Sequence, residues 1–73
     1  MRLWKFICHG NFDYKILVRD TYQGIRVYFI DDQGEVDYYD TYWSEIDDYK
    51  RIGLCEFIEE FDLNGKINRE LLF

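Results

Sequence analysis

The sequence predicts an α+β fold, an antiparallel four-stranded β-meander with one amphipathic helix packed across it. Three observations lead there. Hydrophobic residues alternate with period two through the first 43 positions, turn-forming residues interrupt that alternation at short intervals, and the period changes to 3.6 from Ile46 onward. With 73 residues, no proline and no low-complexity tract or linker, residues 1–73 form one small domain, near the size at which a single core becomes marginal.

In chain order, Leu3 to Cys8 places Trp4, Phe6 and Cys8 on one side of a first strand, and His9-Gly10-Asn11 supplies a turn. Tyr14, Ile16 and Val18 alternate with Lys15 and Arg19 in a second strand. Leu17 stands on its polar side, which implies that this side is covered as well. Ile25, Val27 and Phe29 mark a third strand, and Asp31-Asp32-Gln33-Gly34 is a hairpin turn ending on glycine. Val36 to Trp43 reads as a fourth strand, with Val36, Tyr38 and Tyr42 facing one way and Asp37, Tyr39, Thr41 and Trp43 the other.

Ile46, Tyr49, Gly53, Leu54, Phe57, Ile58 and Phe61 then recur at helical spacing, so the helix is expected to run from a Ser44 cap, reinforced by Asp47, to a terminus at Asn64-Gly65. Lys66 to Phe73 is a C-terminal docking segment readable as short helix or strand. A strongly curved barrel capped by the helix is the alternative architecture, because Leu17, Ile30 and Tyr39 leave the second sheet face partly apolar.

An apolar share of 48% and an aromatic share of 21% exclude a disordered chain, because that much apolar surface can offset the entropy of ordering it. No run approaches the roughly 20 apolar residues of a membrane span, and charge interrupts Met1 to Lys5 too early for a signal peptide. A cytoplasmic protein is therefore expected, with Cys8 and Cys55 as reduced, buried thiols, since a secreted domain this small usually carries more cysteines.

Catalysis is not expected. The chain has one histidine, His9, and one serine, Ser44, already assigned to a cap; Cys8 and His9 are adjacent and would point to opposite faces of a strand. No glycine-rich phosphate loop or paired-cysteine zinc motif occurs, so neither cofactor nor metal is expected. Residues 60–71 resemble an EF-hand calcium loop at Asp62, Asn64, Gly65 and Ile67. Position one is Glu60 rather than Asp, and Leu71 stands where the bidentate Glu is required.

Charge is the sharpest signal. Residues 1–30 hold five bases and two acids (+3), residues 31–62 hold two bases and twelve acids (−10), and residues 63–73 hold two bases and one acid (+1), which makes −6. Direct binding to nucleic acid or to an anionic membrane is disfavoured by that balance. The acidic block interleaves carboxylates with aromatics, the chemistry of protein interfaces that meet basic partners. Alternate strand residues such as Glu35 and Asp37 stand roughly 6.6 Å apart, so a row of them can imitate the charge ladder of a nucleic-acid backbone.

The expected function is accordingly a small acidic inhibitor that occupies the basic nucleic-acid-binding surface of a target protein. It resembles in character the DNA mimics that phages encode against restriction or CRISPR complexes, acting in the host cytoplasm, and cellular immunity proteins. The expected contact residues are Asp31, Asp32, Glu35, Asp37, Tyr38, Tyr39, Asp40, Tyr42, Trp43, Asp47 and Asp48. The alternative is a non-inhibitory interaction module or homodimer subunit that uses an apolar sheet face or the C-terminal tail.

Overall fold

The computed structural model describes residues 1–73 as an open, five-stranded antiparallel sheet with one helix. Its strands are β1 (Arg2–Cys8), β2 (Tyr14–Asp20), β3 (Ile25–Ile30), β4 (Val36–Thr41) and β5 (Cys55–Asp62), and its helix is α1 (Trp43–Arg51). The strand order is β4-β3-β2-β1-β5. The first four strands follow one another as the expected meander. The chain then crosses the sheet through α1 and adds β5 outside β1, with Cys8 opposite Cys55 and Arg2 opposite Asp62. The sheet does not close into a barrel.

The fifth strand corrects the expected long helix. α1 stops at Arg51, because Gly53 adopts φ +79°. Its N–H donates to the Lys50 carbonyl at 3.1 Å, and the Leu54 N–H donates to the Tyr49 carbonyl at 2.8 Å. Those two bonds form a Schellman motif, with Gly53 in the left-handed position that glycine adopts at least cost. The helical spacing of Leu54, Phe57, Ile58 and Phe61 arises from a β-bulge. The β1–β5 register shifts between Lys5 and Phe6, leaving Ile58 without a partner; Phe57 therefore lies opposite Phe6 on one face while Phe61 lies opposite Leu3 on the other.

The helix also begins earlier than expected. Tyr42 is the N-cap, with no side-chain capping bond, so Ser44 lies inside the first turn and β4 ends at Thr41 rather than Trp43.

Both sheet faces are covered. On one, Ile46 of α1 is buried against Phe6, Ile16, Val18, Ile25 and Val27, with Trp4, Phe29, Trp43 and Tyr49 packed around them. On the other, Leu72 closes over Leu3 and Leu17, flanked by Tyr28, Ile30, Phe61, Ile67 and Leu71. Leu17 is thus apolar on the polar side of β2 because the tail lies on it. The docking segment forms a 3₁₀ turn, Arg69–Leu72, capped by Asn68, whose side chain accepts from the Glu70 N–H at 3.0 Å. The segment resembling a calcium loop starts within β5, so it lacks the flanking helix that an EF-hand needs.

Cys8 and Cys55 are joined in a disulfide. This overturns the expectation of two free thiols. The two residues are cross-strand neighbours with Cα atoms 4.1 Å apart, a pairing that the expected helix over residue 55 did not allow. Both cysteines are buried, as the sequence predicts, each at most 2% exposed. No helix is long and apolar enough to cross a membrane.

Candidate functional site

Antiparallel order brings three connections to one end of the sheet: residues 9–13 after β1, residues 31–35 between β3 and β4, and residues 52–54 after α1. The middle connection is the acidic hairpin, built as the sequence predicts. Asp31 Oδ1 accepts from the N–H groups of Gln33 and Glu35, both at 2.9 Å. The Gly34 N–H donates to the Asp31 carbonyl at 3.0 Å, and Gly34 takes φ +79°, a type I turn closed by a glycine bulge.

At this end the sheet splits. β2 stays on β1 as far as Tyr14, and β3 stays on β4 as far as Ile30, but β2 and β3 pair only from Leu17–Tyr28 to Asp20–Ile25. Beyond Leu17 and Tyr28 they part. A cleft of about 630 Å³ opens there, with Tyr14, Phe29, Tyr39 and Tyr49 among its walls, the disulfide at its base and Asp13, Asp31 and Asp32 at its rim. That volume lies in the range of small-ligand and side-chain pockets.

Behind the cleft wall, Glu45 engages one of the lining tyrosines. Tyr49 donates its hydroxyl to Glu45 Oε1 at 3.1 Å, while Glu45 Oε2 is buried with no partner. Burial, and then the Glu45 carboxylate, hold the phenols of Tyr39 and Tyr49 above their ordinary pKa, so both stay neutral donors. At the mouth, Asp13 receives His9 Nδ1 at 3.0 Å, and Glu56 lies 3.6 Å from His9 Nε2. The hydrogen bond with Asp13 is the main cause of a histidine pKa above its usual value.

The expected contact residues fall into separate groups. Asp31, Asp32 and Tyr39 belong to the cleft. Glu35 and Asp37 are beside it on the same hairpin, and neither carboxylate has a cationic partner; Asp37 accepts only from the Tyr38 N–H at 2.7 Å. Asp40 lies on the other sheet face, held by Arg26 through two hydrogen bonds of 2.7 and 3.0 Å. That guanidinium depresses the Asp40 carboxyl pKa and also sits 4.0 Å over the Tyr38 ring.

Trp43 is part of the core, edge-on to Trp4 at 5.2 Å with its indole N–H donated to Asp20 at 2.7 Å. Tyr42 is exposed at the helix N-cap. Asp47 and Asp48 are exposed on α1, and Asp48 lies 3.3 Å from Arg51. The remaining acids of β5 form the opposite sheet edge, where Arg2 sits 3.7 Å from both Glu60 and Asp62.

The carboxylates from residue 31 to residue 62 therefore do not make one patch. They line both sheet edges and the outer side of α1, and the hairpin beside the cleft holds the carboxylates that form no ion pair, although the Arg69 guanidinium lies on that hairpin and donates to the Gly34 carbonyl at 3.4 Å. Asp13, Tyr14, Phe29 and Tyr49 had no sequence signal as site residues, because only the parting of β2 and β3 brings them together. Against protein-family models, curated proteins and solved structures, the chain matches none.

Proposed function

We propose that this chain is a small acidic inhibitor that binds a basic, nucleic-acid-binding protein and covers the surface on which that protein holds its nucleic acid. The observation that carries the reading is the hairpin end, where Asp32, Glu35 and Asp37 present carboxylates that form no internal ion pair, beside an open aromatic cleft. Carboxylates left unpaired by their own fold remain available to steer and pair with Arg and Lys of a partner. Asp40 and Trp43 drop out of the contact set, one neutralised by Arg26 and the other used in the core. Asp47 and Asp48 form a second, outlying row on α1.

The alternative, an interaction module working through an apolar sheet face or the tail, draws less support, because that face and the tail bury each other around Leu17 and Leu72.

Affinity capture from the native host, followed by competition with duplex DNA, tests the reading. The captured protein should be released by DNA, and affinity should fall by orders of magnitude between about 50 and about 200 mM salt. Asp32→Lys with Asp37→Lys should abolish capture. Binding that is indifferent to DNA, or flat across that salt range, refutes it.

A further inference from the structure

We propose that the cleft between β2 and β3 holds the guanidinium of an arginine side chain presented by the basic partner. The inference rests on the preceding reading for the identity of the partner, but its chemistry stands on the cleft alone.

Five aromatic residues line the cleft, Tyr14, Phe29, Tyr39 and Tyr49 together with Phe73 of the tail. Aromatic faces attract cations electrostatically, and the attraction grows where water is displaced. The rim supplies the counter-charge. Asp32 has no protein partner, and Asp31 uses Oδ1 to order its own turn, leaving Oδ2 without one. Glu45, which does not line the cleft, orients the Tyr49 ring from behind by accepting its hydroxyl.

His9 pairs with Asp13 at the rim, and Lys15 is the one lysine or arginine that lines the cleft. It alternates with Tyr14 and Ile16 and so belongs to the sheet face under the tail, on the far side from the tyrosines. An anionic or neutral apolar occupant would leave the rim carboxylates uncompensated. A planar cation matches both features, because guanidinium stacks on rings while its edge donates to carboxylates, which a compact ammonium cannot do as well.

The probe is capped arginine, N-acetyl-arginine amide, titrated into the intact protein while the ring resonances of Tyr14, Phe29, Tyr39 and Tyr49 are followed by NMR. Saturable shifts at those rings are expected, in the millimolar range. Capped citrulline, which keeps the shape and loses the charge, should bind about tenfold more weakly, and capped lysine should fall between them. Asp32→Asn should weaken arginine binding severalfold. Tyr14→Ser, at a half-exposed position that leaves the core intact, should do the same, so the test does not depend on a buried substitution.

Absent or non-saturating shifts, equal binding of citrulline, or shifts centred on Phe12 and Tyr22 instead would overturn the assignment. Failure here leaves salt-dependent competition with DNA standing, whereas failure of that competition with capped arginine still bound would leave the cleft as a guanidinium site without the proposed inhibition.

Discussion

Reducing the Cys8–Cys55 bridge should destabilise the fold by about 4 kcal/mol, nearly all of it through the unfolded chain. The two cysteines are separated by 47 positions, and closing a loop of that length removes about 14 cal/mol/K of conformational entropy from the denatured ensemble, about 4 kcal/mol at 25 °C. The native side changes little, because both sulfurs stay buried as small apolar groups between neighbouring strands whose ladder persists. A chain of this size has a total stability of about 4–11 kcal/mol, so the reduced protein is left close to its folding threshold.

The assay is urea unfolding of oxidised and fully reduced wild type, the latter reduced while unfolded, since the buried sulfurs resist reagent in the native state. With a slope of about 1–1.5 kcal/mol/M, the midpoint should drop by about 3 M, and the slope should steepen because a chain without the cross-link exposes more surface. Coincident midpoints would refute the reasoning, as would thiol titration that finds two free cysteines under oxidising conditions. The result also bears on location. A protein working beside nucleic acid in a reducing cytoplasm would carry the pair as thiols and would do so with that smaller margin.

Leu72→Ala should cost about 2–4 kcal/mol, read as a fall in the thermal midpoint, because Leu72 is the buried residue that the tail lays against Leu3 and Leu17; a change under 0.5 kcal/mol would mean that the tail does not close that face. Gly24→Ala should destabilise by about 1–3 kcal/mol in the same assay, since the added methyl would meet the Thr41 carbonyl oxygen and the Tyr42 ring, and a neutral outcome would contradict that approach.

The His9 imidazole should titrate above about 6.5 by NMR, and Asp13→Asn should move it down. Because its folded pKa is raised, its ion pairs stabilise the fold at pH below the unfolded value and are lost as pH rises through the folded one. A midpoint unchanged by Asp13→Asn would rule out that pairing.

How far the candidate site could be read from residues alone depends on whether a group's partners are local. The Asp31 to Gly34 hairpin was legible because every bond that defines it lies within five residues. Asp40 was not, since nothing local marks Arg26 as its partner 14 residues earlier across the β3–β4 ladder. Trp43 misled for the same reason. An aromatic among acids looks like an anchor until Trp4 and Asp20, both distant in sequence, are seen to claim its ring and its N–H.

By itself the chain determined the α+β class, the first four strands in order, the turns between them and the segregation of charge, all consequences of side-chain period and turn chemistry that act over a few neighbouring residues. Leu17 even announced that both sheet faces would be covered. Tertiary structure decided the rest. Residues 55–62 carry a pattern compatible with helix or bulged strand, and the free edge of β1, together with the Gly53 turn, selects strand because pairing there satisfies backbone groups along β1 and buries Cys55. The disulfide, the two-edged distribution of carboxylates and the cleft all follow from that placement and from where β2 and β3 cease to pair. Such contacts join positions tens of residues apart, and no local pattern encodes them.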